Sequence, residues 1–208
     1  MSEEEKLLQE AKKLQWEERL FHKNWKVRNE ANIDLAALCD SISDPKDPCI
    51  REFGEFLLGF PYLISISDPK DPRIREFGPF FEKTVAESNA PMQEKTLDAL
   101  IAYLRAVDAD AGRYAKEVCD AIVAKCLTGR PKTVEKAQAS FMLRIELEAV
   151  DAFLDAMEKA IKNKVARAVV PAIDVMFLAS SEFGAKILSP RRILKIIKIK
   201  MSVHLLKD

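Results

Sequence analysis

The side chains able to do chemistry in this 208-residue chain are few. His22 and His204 lie near opposite ends, and the four cysteines, Cys39, Cys49, Cys119 and Cys126, form no Cys-x-x-Cys pair. A structural zinc needs about four ligands at short spacing, so no metal site is expected. The carboxylates Glu146 and Glu148 lie two residues apart, which on a helix puts them on different faces and rules out shared acid–base work. With six glycines and no glycine-rich phosphate loop, no nucleotide cradle is expected either. These residues predict no enzyme, no cofactor and no metal. Cys119 and Cys126, seven apart, fall on one side of a helix with Val118, Ile122 and Val123, where cysteine serves as a small core hydrophobe.

The remaining candidates bind rather than react. Lys plus Arg number 33 and Asp plus Glu 33, so no global field draws the chain to nucleic acid or a membrane surface, and neither partner is expected. Local charge is uneven, however. The windows His22–Arg28, Thr128–Val134 and Lys159–Arg167 hold nine bases (Lys23, Lys26, Arg28, Arg130, Lys132, Lys159, Lys162, Lys164 and Arg167) and no acid. If these windows are aligned turns, they make a positive edge suited to an acidic protein surface. Trp25, between Asn24 and Lys26 at a helix start, has the polar setting of a partner-facing anchor; the alternative is a staple packed on its own helix. Trp16, four residues before Leu20, reads as a core residue.

The elements that must position these residues are helices. Apolar residues are 48% of the chain, enough for a sizeable core, and they recur at helical spacing: Leu97, Leu100, Ile101 and Leu104; Val118, Ile122 and Cys126; Phe141, Ile145 and Leu147; Phe153, Met157 and Ile161. Asn89 is placed to cap the helix that Pro91 opens, and Asp110 the one expected after Ala111. The N-terminal MSEEEK lacks a signal-peptide core and no apolar run approaches the ~18 residues of a membrane span, so a soluble intracellular protein is expected.

Two internal repeats appear. One is diffuse: helices starting at Trp25, Ala90, Lys132 and Asn163 each follow a short polar break, one hairpin apart, roughly as in the second helix of HEAT repeats. The other is sharp: residues 41–54, SISDPKDPCIREFG, recur at 65–78 with Arg73 for Cys49, an offset of 24 that reads as a local duplication. Gly59 and Pro61 argue against a long helix through the linking apolar stretch.

The segments HKNWKVRNEANIDLAAL, SDPKDPRIREFGPFFEKTVAESNAPMQEKTLDALIAYLRA, DADAGRYAKEVCDAIVAKCLTGRPKTVEKAQASFMLRIELEAV and MEKAIKNKVARAVVPAIDVMFLASSEFGAKIL together resemble the first TOG domain of the plant microtubule-organization class of microtubule polymerases. The resemblance implies an all-α solenoid of HEAT-like helical hairpins, incomplete at its end. Residues 1–192 would form a partial TOG domain with an insertion at about 43–66, and residues 193–208 a divergent tail. It further implies a loop edge that grips the curved tubulin heterodimer, built from Trp25 and Lys26, Ser88 and Asn89, Arg130 and Lys132, and Asn163 and Lys164. The family's fifth loop is missing from this pattern. The implied partners are the tubulin heterodimer and the microtubule plus end, in the cytoplasm and cytoskeleton, with several such domains on one long protein promoting microtubule growth and organisation. The competing expectations are a generic HEAT-repeat scaffold that does not bind tubulin, or a truncated product without function.

Overall fold

The computed structural model describes residues 2–42, 78–107, 112, 114–162 and 166–205. The insertion expected at about 43–66, with Cys49, lies outside the described residues. The helices are α1 (Glu3–Ala11), α2 (Trp16–Leu20), α3 (Trp25–Ile42), α4 (Gly78–Thr84), α5 (Ala90–Val107), α6 (Ala115–Lys125), α7 (Pro131–Glu146), α8 (Val150–Lys162), α9 (Ala166–Ile187) and α10 (Pro190–Leu205). No strand occurs among the described residues. They form two units, Met1–Ala111 and Gly112–Asp208.

In the first unit, α3 and α5 pack along each other. The spacing of four along α3 lines up Val27, Ala31, Leu35 and Cys39, all buried, against Met92, Leu97, Leu100 and Leu104 of α5, also buried. Each such large side chain contributes about 1.5–3 kcal/mol on burial, which is what holds the two long helices together. Phe81 of α4 closes one side, its ring 5.0 Å from that of Tyr103. At the N-terminus, the Glu5 amide donates to Ser2 Oγ (3.1 Å) and the Ser2 amide to Glu5 Oε2 (2.7 Å), a complete capping box. Trp16 is not the core residue expected. It opens α2 only partly buried, with the Arg19 guanidinium 4.7 Å from its ring centre. Arg19 is itself buried and also pairs with Asp34, so the contact holds the ring at the margin of the core.

In the second unit, α6, α9 and α10 pack on α8, and α7 completes the core. Phe141 of α7 and Phe153 of α8 are fully buried with rings 5.6 Å apart in an edge contact. Cys119 and Cys126 are buried together as the seven-residue spacing predicts, and burial pushes their thiols up to about 11 and 12. The helix expected after Ala111 begins later, at Ala115, behind Tyr114, which makes no side-chain cap bond. No group of three or more metal-ligating side chains gathers among the described residues.

The expectation that no segment reaches the length of a membrane span needs correcting, because Arg167–Ile187 is long and apolar enough by length and composition alone. Only part of that apolarity faces the core, a third of the segment being buried. Val169, Ala172, Val175, Met176 and Ala179 are buried, and the helix packs against α8, α7 and α6. The helical path is interrupted at Gly184 (φ 66°, ψ −172°), a conformation reserved for glycine. α10 then runs without a break across residue 193, with Ile196 fully buried and Arg192 paired with Asp151 and Asp155 of α8.

The turn from α7 to α8 is a Schellman motif: Ala149 N–H donates to the Arg144 carbonyl (2.9 Å) and Glu148 N–H to that of Ile145 (3.1 Å). The residue in the left-handed position is Glu148 (φ 63°), where glycine is the usual occupant. Relief of the Cβ clash outweighs the added freedom of the unfolded chain. Glu148→Gly should therefore stabilise the protein by about 0.5–1 kcal/mol. A rise in the urea unfolding midpoint checks this; an unchanged or lower midpoint contradicts it.

Candidate functional site

Each inferred binding loop joins the two helices of a hairpin. The first spans residues 21–24, between α2 and α3. Asn24 caps α3: its Oδ1 accepts the Lys26 amide (2.9 Å) and its carbonyl accepts the Val27 amide (3.1 Å). His22 Nδ1 in turn accepts the Asn24 amide (3.1 Å), which ties the loop to the cap. Trp25 is the first residue of α3. It lies about 200° around the helix from buried Val27, so it points outward and is 45% exposed. The Lys26 ammonium sits 6.0 Å from the Trp25 ring centre and pairs with Glu4 of α1.

The second loop spans residues 85–89, between α4 and α5. Asn89 caps α5 as its position in the sequence predicts, its Oδ1 accepting the Met92 amide at 3.1 Å. Ser88 is exposed beside it. These two loops are joined. Arg28, on the second turn of α3, reaches Glu87 with Nε (2.9 Å) and Nη2 (2.7 Å), while its Nη1 donates to the carbonyls of His22 (2.7 Å) and Lys23 (3.2 Å). Burial alone would raise the Glu87 carboxyl, but the Asn89 amide, the Arg28 guanidinium and the Ser88 amide outweigh it and hold the group below the usual carboxylate range.

In the second unit, the third loop spans residues 126–130. Gly129 permits a close turn, since a Cβ there would stand 3.1 Å from the Cys126 carbonyl oxygen and from Thr133. Arg130 and Lys132 flank Pro131 at the start of α7, both exposed. Beside them is a shallow cleft of about 520 Å³ lined by Thr128, Gly129, Pro131, Val134, Arg167 and Pro171, among others. Asn163 and Lys164 lie outside the described residues.

The charge pattern differs from its sequence appearance. The three basic windows contain no acid, yet among the described residues folding supplies one to at least four of their bases: Glu4 to Lys26, Glu87 to Arg28, Asp120 to Lys159 and Glu158 to Lys162. Among the described residues no ion pair is present for Lys23, Lys132 or Arg167. The positive field of the windows is thus weaker than their sequence implies. Sequence reasoning counted Arg28 as a loop charge and did not anticipate its pairing with Glu87. They are 59 residues apart, beyond any helical periodicity.

The family model for the XMAP215/Dis1/CLASP TOG domain matches residues 10–205. The chain is 67% identical over 196 residues to Protein MOR1 of Oryza sativa subsp. japonica and 65% identical over 196 residues to Protein MOR1 of Arabidopsis thaliana, covering 94% of this chain in each case. It is 28% identical over 194 residues to Protein mini spindles of Drosophila melanogaster, covering 93% of this chain. The chain spans only 9% of the length of the rice and Arabidopsis relatives and 8% of the Drosophila one. A solved structure from work on tubulin recruitment and assembly by microtubule polymerases with TOG domain arrays superposes with a TM-score of 0.57 at 21% identity, over 77% of this chain and 29% of its own. That likeness establishes the fold, a HEAT-like helical solenoid. Helical hairpins in series and a family match that covers nearly the whole chain place this protein in the XMAP215/Dis1/CLASP TOG-domain family.

Proposed function

We propose that this chain is a non-enzymatic tubulin-binding domain. It recognises the curved heterodimer through its intra-hairpin loops and contributes to microtubule growth and organisation at plus ends, in the cytoplasm, as part of a longer protein. The binding residues are Trp25, Lys26, Ser88, Asn89, Arg130, Lys132, Asn163 and Lys164. The observation that carries this reading is Trp25: a large aromatic held outward at a capped helix start, on a loop tied to the Ser88–Asn89 loop through Arg28 and Glu87. Aromatic anchors of this kind concentrate binding energy at protein interfaces. The relatives support the choice of partner, since the solved neighbour belongs to polymerases described as recruiting tubulin.

A single domain binds, whereas several on one chain raise the local tubulin concentration at a filament tip through effective concentration. The chain should co-elute with unpolymerised tubulin in gel filtration without accelerating microtubule growth by itself. Absence of co-elution at micromolar concentrations would remove tubulin as the partner. A second reading, a HEAT scaffold that binds through a helix face, draws on Val170 and Phe177 of α9, which are 62% and 74% exposed. The parent chain separates the two: the loop-edge reading expects tubulin binding, which Phe177→Ser leaves unaffected, whereas the scaffold reading expects none.

A further inference from the structure

We propose that Arg28 and Glu87 are positioning residues that lock the first two loops into one preformed surface, an inference that rests on the loop-edge reading for its binding consequence but not for its structural one. The geometry divides the work between the atoms. Glu87 Oε2 takes both donors of Arg28, Nε at 2.9 Å and Nη2 at 2.7 Å, while Oε1 takes the amides of Ser88 (2.9 Å) and Asn89 (3.1 Å) and lies 3.3 Å from Ser88 Oγ. The third guanidinium nitrogen, Nη1, holds the carbonyls of His22 and Lys23. An unbroken chain of charge-assisted bonds therefore runs from the backbone just before Asn24 to the backbone of Ser88 and Asn89.

Folding does not need this pair, because the apolar rows of α3 and α5 already hold the two helices together. What those rows do not fix is the loop backbone that presents Trp25 and Ser88. The side chains of Arg28 and Glu87 are only 18% and 13% exposed, so the pair is shielded enough from water to hold one geometry. A surface ordered before the partner arrives loses less conformational freedom on binding, which is how an internal ion pair acts on affinity without touching the partner.

Glu87→Gln tests this in the full chain, since it keeps the shape but loses the charge. Amide hydrogen exchange at residues 24–28 and 87–89 should quicken about tenfold while residues 97–104 stay protected, the pattern of a local opening. Arg28→Lys, which keeps the charge but has one nitrogen in place of three, should give the same pattern. Tubulin affinity should fall about three- to tenfold for Glu87→Gln, and that loss should largely vanish in a Trp25→Ala background, because coupled residues are not additive. Unchanged exchange at residues 24–28 in Glu87→Gln overturns the lock, whatever the tubulin result. Faster exchange with unaltered affinity overturns the positioning role. If the parent chain fails to bind tubulin at all, the partner assignment falls, while exchange still decides the lock.

Discussion

Phe153→Ala should destabilise the protein by about 3–5 kcal/mol, whereas Phe177→Ala, the same truncation 24 residues on, should stay within about 0.5 kcal/mol. The difference is burial alone. Phe153 is 0% exposed and meets the edge of Phe141, itself fully buried, across the contact between α7 and α8. Removing that ring loses its transfer energy and leaves a cavity that three packed helices cannot close. Phe177 is 74% exposed on the outer face of α9, so its ring gains little from folding. Urea unfolding followed by far-UV circular dichroism reads both variants against the parent. Equal losses would mean that the packing of the second unit is wrong as described.

The helical framework was legible because it is local. Helix starts expected at Trp25, Ala90 and Lys132 are found at Trp25, Ala90 and Pro131, and the Asn89 cap forms as its spacing implies. The apolar rows Val118–Ile122–Cys126 and Phe153–Met157–Ile161 are fully buried. What escaped local reading was polar. Arg144 looks like a solvated helix residue and is 1% exposed; Thr96 and Ser140 are 0% exposed. The basic windows read as an uncompensated edge because their acidic partners come from elsewhere: Glu4 lies 22 residues before Lys26, and Asp120 lies 39 before Lys159. Periodicity reports which face of a helix is buried. It carries nothing about which helix brings a carboxylate to that face's rim, so tertiary ion pairs, and with them the net field of the site, become visible only once the chain is folded. Trp16 failed for a different reason: its partner Arg19 lies only three residues on, on the same helix, a local contact that the apolar spacing to Leu20 hid.

Trp25→Ala should weaken tubulin binding by about 2 kcal/mol, roughly thirtyfold in Kd, while changing stability little. The two halves of this expectation rest on different facts. At 45% exposed, and facing away from the Val27–Ala31–Leu35 row, Trp25 contributes little to the core, and the α3 cap is made by Asn24 and survives the substitution. On the binding side, a tryptophan at a capped helix start sits on backbone already ordered, so it spends little conformational freedom on docking. Lys132→Ala is the matched comparison. It removes an exposed charge, should cost less than about 1 kcal/mol, and should reduce the salt dependence of binding. Fluorescence-detected titration with unpolymerised tubulin at two ionic strengths distinguishes the contributions. If Trp25→Ala binds as tightly as the parent while Lys132→Ala does not, recognition is electrostatic and centred on the second unit. If both bind as tightly as the parent, the contact lies away from the loops, on a helix face such as that of Val170 and Phe177. The thirtyfold loss is expected because at least four of the window bases among the described residues already have acids of their own, which leaves the aromatic anchor as the larger unspent source of binding energy.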